Sequence, residues 1–210
     1  MRPMSLWGRA FAALYEPMLR SSERNGLADL RAGLLAQARG RTLELGAGTG
    51  LNLPHYPEAV TELVLTEPDP SMAARLERRV AAHGGAAVRV VRAGAEALPA
   101  ADASVDTVVA TLVLCTVDDL DVTLAEVHRV LAPGGALLFL EHVRHPDAAR
   151  ARRQERLTPI QRRVARGCHL DRATPDAIGR AGLVIAEERL ERFPKANEVL
   201  QPLAIGRATR

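Results

Sequence analysis

Thr42-Leu43-Glu44-Leu45-Gly46-Ala47-Gly48-Thr49-Gly50 is an apolar strand that runs without a break into a glycine-rich turn. Thr42, Leu43 and Leu45 favour extended backbone, while glycines at 46, 48 and 50 let the chain turn sharply and approach a ligand with no Cβ in the way. The spacing is G-x-G-x-G, one residue short of the G-x-G-x-x-G dinucleotide fingerprint, and Leu51-Asn52-Leu53-Pro54 follows in place of a long helix. The turn therefore reads as a cradle for a cofactor without a pyrophosphate.

Working towards the carboxyl end, Thr61 to Thr66 reads as the next strand and delivers Glu67 to its end, about 20 residues beyond the first glycines. A carboxylate so placed suits the two hydroxyls of a ribose, and Pro68 and Pro70 stiffen the turn that carries it. Ser71 to Ala82 has helical spacing with Met72, Leu76 and Val80 inward, closed by Gly84-Gly85, and a third strand follows at 87–91. Ser104 to Ala110, with Val105, Val108, Val109 and Ala110 apolar, reads as a strand buried on both faces, and it continues into Thr111-Leu112-Val113-Leu114-Cys115. Asp118-Asp119 caps a helix over 120–131, and Pro133-Gly134-Gly135 turns into a strand at 136–140. Strand now alternates with helix, which predicts a doubly wound parallel sheet with its ligand over the carboxyl ends of the strands.

On the amino-terminal side, Ser5 to Arg20 has rough helical spacing that Pro17 is expected to break or kink. A second helix is expected from a Ser22 cap to Gln37, with Leu27, Leu30, Leu34 and Leu35 on one face and Gly40 as its stop. Beyond the fifth strand, 150–166 reads as an arginine-rich helix with Leu157, Ile160 and Val164 as a narrow apolar stripe. Thr174-Pro175 opens another helix, with Thr174 as its cap, and 183–190 and 198–208 are expected as strands.

With 210 residues, 47% hydrophobic and 25% charged, the chain suits one α/β domain. No uncharged apolar run is long enough to span a bilayer, and the first residues lack the pattern of a secretory signal, so a cytoplasmic location is the expectation. The net charge of +3 is modest, and its basic residues are almost all arginine, Lys195 being the only lysine. Cys115 and Cys168 lack C-x-x-C or Cys/His metal spacing, so no metal is expected. Arginines 150, 152, 153, 156, 162, 163 and 166 make a basic helix, but Glu155 interrupts it and stacking aromatics are scarce, so no nucleic-acid partner is expected.

Glu44-Leu-Gly-Ala-Gly-Thr-Gly, Glu67 with its prolines, Gly94-Ala95-Glu96-Ala97-Leu98-Pro99 and Leu131-Ala-Pro-Gly-Gly before an apolar strand together resemble the class I S-adenosylmethionine-dependent methyltransferases. That resemblance implies a Rossmann-like sheet of seven strands, mostly parallel with the last antiparallel. It implies S-adenosylmethionine as cofactor, held by Glu44, Gly46, Ala47, Gly48, Thr49, Gly50 and Asn52 at the methionine end. Glu67 and Pro68 would lie at the ribose, Met72, Ala95 and Glu96 at the adenine, and Thr111 and Leu112 facing the sulfonium. Leu14-Tyr15-Glu16-Pro17, Gly50 to Pro57, Thr111 to Cys115, Glu141-His142-Val143 and Gly167-Cys168 further resemble the small-molecule group that includes the methyltransferase-like thiol S-methyltransferases. The acceptor implied is a small molecule, a thiol before others, bound by Tyr15, Leu114, His142 and His169, with His142 and His169 as the candidate bases. On this reading the chain is one domain: a helical lid at 1–40, the cofactor core at 41–143, a helical acceptor cover at 144–182 and terminal strands at 183–210.

Overall fold

The computed structural model describes residues 6–83 and 87–210. Seven strands form one sheet: β1 (Gly40–Leu45), β2 (Val60–Thr66), β3 (Val88–Val91), β4 (Val105–Thr111), β5 (Leu131–His142), β6 (Val184–Glu191) and β7 (Leu203–Thr209). Their order is β3-β2-β1-β4-β5-β7-β6. The first five are parallel, and β7 inserts antiparallel between β5 and β6. This is the mostly parallel, doubly wound sheet expected above. The chain passes from β3 at one edge back across β1 to β4, so the strand order reverses between β1 and β4 and a crevice opens at their carboxyl ends.

The apolar runs are explained by what covers the sheet. Successive strand residues point to opposite faces, so a strand covered on both sides needs apolar residues at every position. Val108, Ala110, Leu137 and Phe139 pack towards α4 (Leu120–Val130) and α6 (Thr174–Arg180). Val109, Leu138 and Leu140 join Leu27, Leu34 and Leu35 from the amino-terminal helices on the other face. Leu63, Leu65 and Leu76 make a third cluster, with Val88 and Val90 packed against it, where α3 (Pro70–His83) covers the β2–β3 edge. Each fully buried leucine contributes about 1.5–3 kcal/mol. Phe139 stands opposite Gly206 across the β5–β7 pair, and a Cβ at 206 would lie 2.5 Å from the ring and 2.3 Å from the Glu187 carbonyl, so glycine is what lets the ring lie across β7.

Several element ends differ from expectation. Pro17 sits inside an unbroken α1 (Leu6–Ser22); the break comes later, at Asn25 and Gly26, where Gly26 takes φ +121°. Ser22 is accordingly helical and caps nothing, and α2 spans Ala28–Leu35. Asp119 does cap α4, accepting a hydrogen bond from the Val122 amide at 3.0 Å. Asp147 caps α5 (Ala148–Val164) in the same way, from the Arg150 amide at 2.9 Å, two residues before the expected start. Thr174 lies one residue inside α6, whose cap position is Ala173. β5 begins at Leu131 rather than 136, and the last strand at Leu203 rather than 198, because 198–200 forms a helical turn ahead of Pro202. The expected glycine stop of α3 at 84–85 lies outside the described residues.

Candidate active site

The carboxyl ends of β1 and β4 deliver Glu44, Gly46 and Thr111 to the crevice, the turn after β1 brings Leu51 and Asn52 to it and α1 brings Tyr15; together with Ala47 and Arg31 they line one cavity. Gly46 takes φ +53° and Gly48 φ +61°, a left-handed conformation that costs other residues roughly 1–2 kcal/mol. A Cβ on Gly46 would lie 2.4 Å from Val113 Cγ2, whereas one on Gly48 would point at the Tyr15 ring 3.8 Å away. Gly46 is thus fixed by packing and Gly48 by the open cradle beneath Tyr15.

Glu44 is buried and accepts hydrogen bonds from Asn52 Nδ2 at 2.9 Å and the Tyr56 hydroxyl at 2.7 Å. Burial dominates and pushes its carboxyl up to about 7, against the opposing pull of those two bonds and of Arg31. Asn52 Nδ2 also donates to Thr111 Oγ1 at 2.8 Å, and Asn52 Oδ1 accepts from Arg31 at 2.9 Å. Arg31 reaches Thr111 Oγ1 at 3.1 Å and pairs with Glu23 at 3.1 Å, although it is only 2% exposed. A buried guanidinium is costly unless paired and fully hydrogen-bonded, and this network satisfies it. The cavity therefore presents a carboxylate and a guanidinium together, the complement of a zwitterionic amino acid.

At the end of β2, Glu67 accepts the Gly48 amide at 2.9 Å and the Asp69 amide at 2.8 Å, with burial raising its pKa. Asp69 caps the first turn of α3 through the Ser71 and Met72 amides, both at 2.9 Å, and takes a salt bridge from Arg166 at 2.7 Å. Arg166 also stacks on Phe11, 5.5 Å from the ring centroid, so one side chain ties the segment after α5 to the cofactor loop and to α1. Glu16 pairs with Arg79 through two bonds at 2.9 and 3.0 Å, fastening α1 to α3.

The structure therefore gathers Tyr15, Glu44, Gly46, Ala47, Asn52 and Thr111 round one cavity and places Gly48 against Glu67. Met72 is buried in the first turn of α3, whereas Pro68 is exposed. Ala95 is buried, and Glu96 uses a carboxylate oxygen to accept the Asp118 amide at 3.1 Å. Leu112 holds φ +55°, a conformation bulky residues avoid, and donates its amide to the Leu140 carbonyl at 2.8 Å. Such strain concentrates at functional sites. Leu114 is wholly buried in the core and offers outward only its carbonyl, which accepts from Arg172.

His142 Nε2 lies 2.9 Å from Cys168 Sγ, and its other ring nitrogen is buried without a partner. Cys115, His142 and Cys168 converge although their sequence spacing suggests no cluster. The bond from Cys115 and then, against burial, the His142 ring hold the Cys168 thiol below its ordinary range, while Cys115, bonded to Cys168 and buried, is pushed up. His169 is half-buried, donates its amide to the Cys115 carbonyl at 2.7 Å, and has its pKa lowered by desolvation and the neighbouring Arg172 and Arg162. Glu141 is fully buried and accepts the amides of Val113 and Leu114 at 2.9 Å each and of Cys115 at 3.3 Å. It anchors the loop after β4.

Sequence reasoning missed Arg31, Tyr56, Glu141 and Arg166. Arg31 carried a signal: it falls at i+4 from Leu27 and three before Leu34 on the apolar face of its helix, where a charge must be paired. Tyr56 and Arg166 carried none, since each partner comes from a distant segment.

An S-adenosylmethionine-type ligand fits what is present. The Thr49 hydroxyl is 1% exposed and unpartnered at the glycine turn, and Gly48 leaves open the space a side chain would fill. A methyltransferase-domain family model matches residues 43–139. Human thiol S-methyltransferase TMT1A is 32% identical over 207 residues, 95% of this chain and 83% of its own length. Rat thiol S-methyltransferase TMT1B is 39% identical over 142 residues, 66% of this chain, and the match spans 58% of the relative's length. A methyltransferase structure from Thermotoga maritima, described as a possible histamine N-methyltransferase, superposes over 97% of this chain and 98% of its own with a TM-score of 0.70 at 22% identity. The mostly parallel sheet, the glycine cradle at its switch point and a relative matched along nearly the whole chain agree: the protein belongs to the class I S-adenosylmethionine-dependent methyltransferases.

Proposed function

We propose that the chain transfers a methyl group from S-adenosylmethionine to a small-molecule thiol by in-line displacement. The observation that carries the methyl-transfer reading is the Glu44–Asn52–Arg31–Thr111 network beside the left-handed Gly46 and Gly48, a ready receptor for the amino-acid end of that cofactor. The thiol reading is supported by the 32% identity to human TMT1A along 95% of the chain. Among the described residues no helix is long and apolar enough to cross a membrane.

When bound, the cofactor supplies a methyl already activated on sulfonium, so the chain's task is to align the acceptor and keep water away. Glu44 would receive the ammonium and Arg31 the carboxylate of the methionine moiety, and Glu67 would hold the ribose hydroxyls, while α1 covers the crevice through Tyr15. A thiol of pKa about 8.5 needs only modest help to ionise near neutrality. His169, half-buried and with its pKa lowered, stays largely unprotonated there and acts as the base.

The test is S-adenosylhomocysteine release with a matched panel of small thiols, phenols, amines and dispersed phospholipid. Thiol-selective turnover is expected; selective turnover of another class would overturn the acceptor assignment while leaving the family intact. His169→Ala is expected to leave cofactor affinity unchanged and slow thiol turnover about 10²-fold at neutral pH. The deficit should shrink as pH passes about 8.5, where the acceptor ionises unaided. A deficit independent of pH would remove His169 from the base role.

A second expectation concerns the carboxylate itself. Glu44 ionises only as pH rises through about 7, and its protonated form offers no charge to an ammonium group. S-Adenosylhomocysteine should therefore bind with constant affinity well above pH 7 and lose about tenfold per unit below it. Glu44→Gln should bind weakly at every pH. Calorimetry at pH 6 and 8 giving equal wild-type affinities would contradict the assignment.

A further inference from the structure

Three distant segments deliver soft ligands to one buried point: Cys115 from the loop after β4, His142 from the end of β5 and Cys168 from the segment after α5. One ligand atom from each lies within 4.8 Å of the other two. Their exposures are 2%, 3% and 6%, and neither thiol is in a disulfide. His142 Nε2 approaches Cys168 Sγ at 2.9 Å, while Nδ1 has no partner. Leaving a buried ring nitrogen unsatisfied costs about 1–3 kcal/mol. An apolar side chain would fill the space without that cost, and aligning an acceptor for displacement does not call for the cluster.

The surroundings hold these ligands as a built site. Glu141 fixes the backbone of Val113, Leu114 and Cys115. The His169 amide binds the Cys115 carbonyl, and Arg172 binds the carbonyls of Leu114 and Val117, the latter at 2.7 Å. Gln161 Nε2 lies 3.8 Å from Cys168 Sγ. Round a tetrahedral zinc ion, with bonds of about 2.3 Å to sulfur and 2.0–2.1 Å to nitrogen, ligand atoms stand roughly 3.5–3.8 Å apart. That lies inside the observed 4.8 Å limit and asks the His142–Cys168 pair, now at 2.9 Å, to open by about 0.6 Å.

We propose that Cys115, His142 and Cys168 form a Cys2His site for a thiophilic divalent cation, Zn2+. Two thiolates and an imidazole select zinc over the oxygen-seeking Mg2+ and Ca2+. Three protein ligands leave the fourth tetrahedral position for an exogenous donor. The ion joins the segment after α5 to the ends of β4 and β5, so it fastens the acceptor cover to the sheet and stabilises the fold by mass action.

The test uses the full chain, reduced and freed of metal by chelation, and titrated with Co2+ as a spectroscopic stand-in. The expected result is one Co2+ per chain with thiolate-to-metal charge-transfer absorption and tetrahedral ligand-field bands, displaced stoichiometrically by Zn2+ but not by Mg2+, with a rise in melting temperature on zinc addition. Cys168→Ser should weaken zinc binding by at least about 100-fold, more than loss of an outer-sphere contact costs. Should that variant fold poorly, the wild-type titration decides alone. Absence of charge-transfer absorption at saturating Co2+, or an unchanged spectrum after both thiols are alkylated, would overturn the site. Thiol methylation is read in a separate assay, so either proposal can fail without the other.

Discussion

Gly48→Arg is expected to abolish S-adenosylhomocysteine binding, leaving no measurable heat where the wild type titrates normally. Gly48 holds φ +61°, and its missing Cβ points into the space beneath Tyr15, 3.8 Å from the ring. Any side chain there takes on roughly 1–2 kcal/mol of backbone strain, which the fold can bear. The guanidinium group is another matter, because it would occupy the space beneath Tyr15 and place a second cation near the Glu44–Arg31 network proposed to receive the cofactor's amino-acid end. The Gly48 amide also donates to Glu67 at 2.9 Å, so displacing the turn disturbs both ends of the ligand. Gly48→Ala provides the control: it carries the strain without the bulk and should bind more weakly while remaining measurable. The decisive readings are calorimetric affinity and, for the intact fold, circular dichroism. Normal affinity in a folded Gly48→Arg protein would sink the cofactor site.

Glu141→Ala is expected to lower stability by about 3–5 kcal/mol, as breaking a buried charged network does. Its two carboxylate oxygens accept the amides of Val113, Leu114 and Cys115, all buried at the start of the loop that follows β4. Removing them leaves three donors unpaired, each costing about 1–3 kcal/mol before any water enters. The strained Leu112, at φ +55°, immediately precedes these amides and depends on the loop being held from outside. Glu141→Gln keeps one accepting oxygen and should fall between the two. Urea denaturation gives the measurement, with a shift in midpoint at constant slope. A loss below about 1 kcal/mol would mean that the amides find other partners and that Glu141 is no anchor.

Much of the architecture was legible because it follows from local patterns. The apolar stretch Val108-Val109-Ala110 declared a strand covered on both faces, and the structure divides Val108 and Val109 between opposite clusters. Asp119 announced the start of α4 by its own side chain, since a cap needs only residues three positions apart. Pro17 misled for a related reason. A proline within a helix forfeits one hydrogen bond and crowds the preceding turn, but packing holds α1 continuous, and the break moves to Gly26, the residue that can take φ +121°. The strand expected at 198–208 was half right, because the turn at 198–200 and Pro202 set its start.

The sequence by itself determined the order of strands and helices, the sharp glycine turn after β1, the acid at the end of β2 and hence the family. Each rests on residues a few positions apart, whose backbone preferences act before any distant contact forms. Only the tertiary structure decided which side chains meet: Arg31 with Asn52 and Thr111, Glu141 with the loop after β4, Arg166 with Asp69 and Phe11, and Cys115 with His142 and Cys168. These partners lie 21 to 97 positions apart in the chain wherever a hydrogen bond links them. No local spacing encodes such meetings, because they exist only once the sheet has brought the carboxyl ends of β1, β4 and β5 side by side.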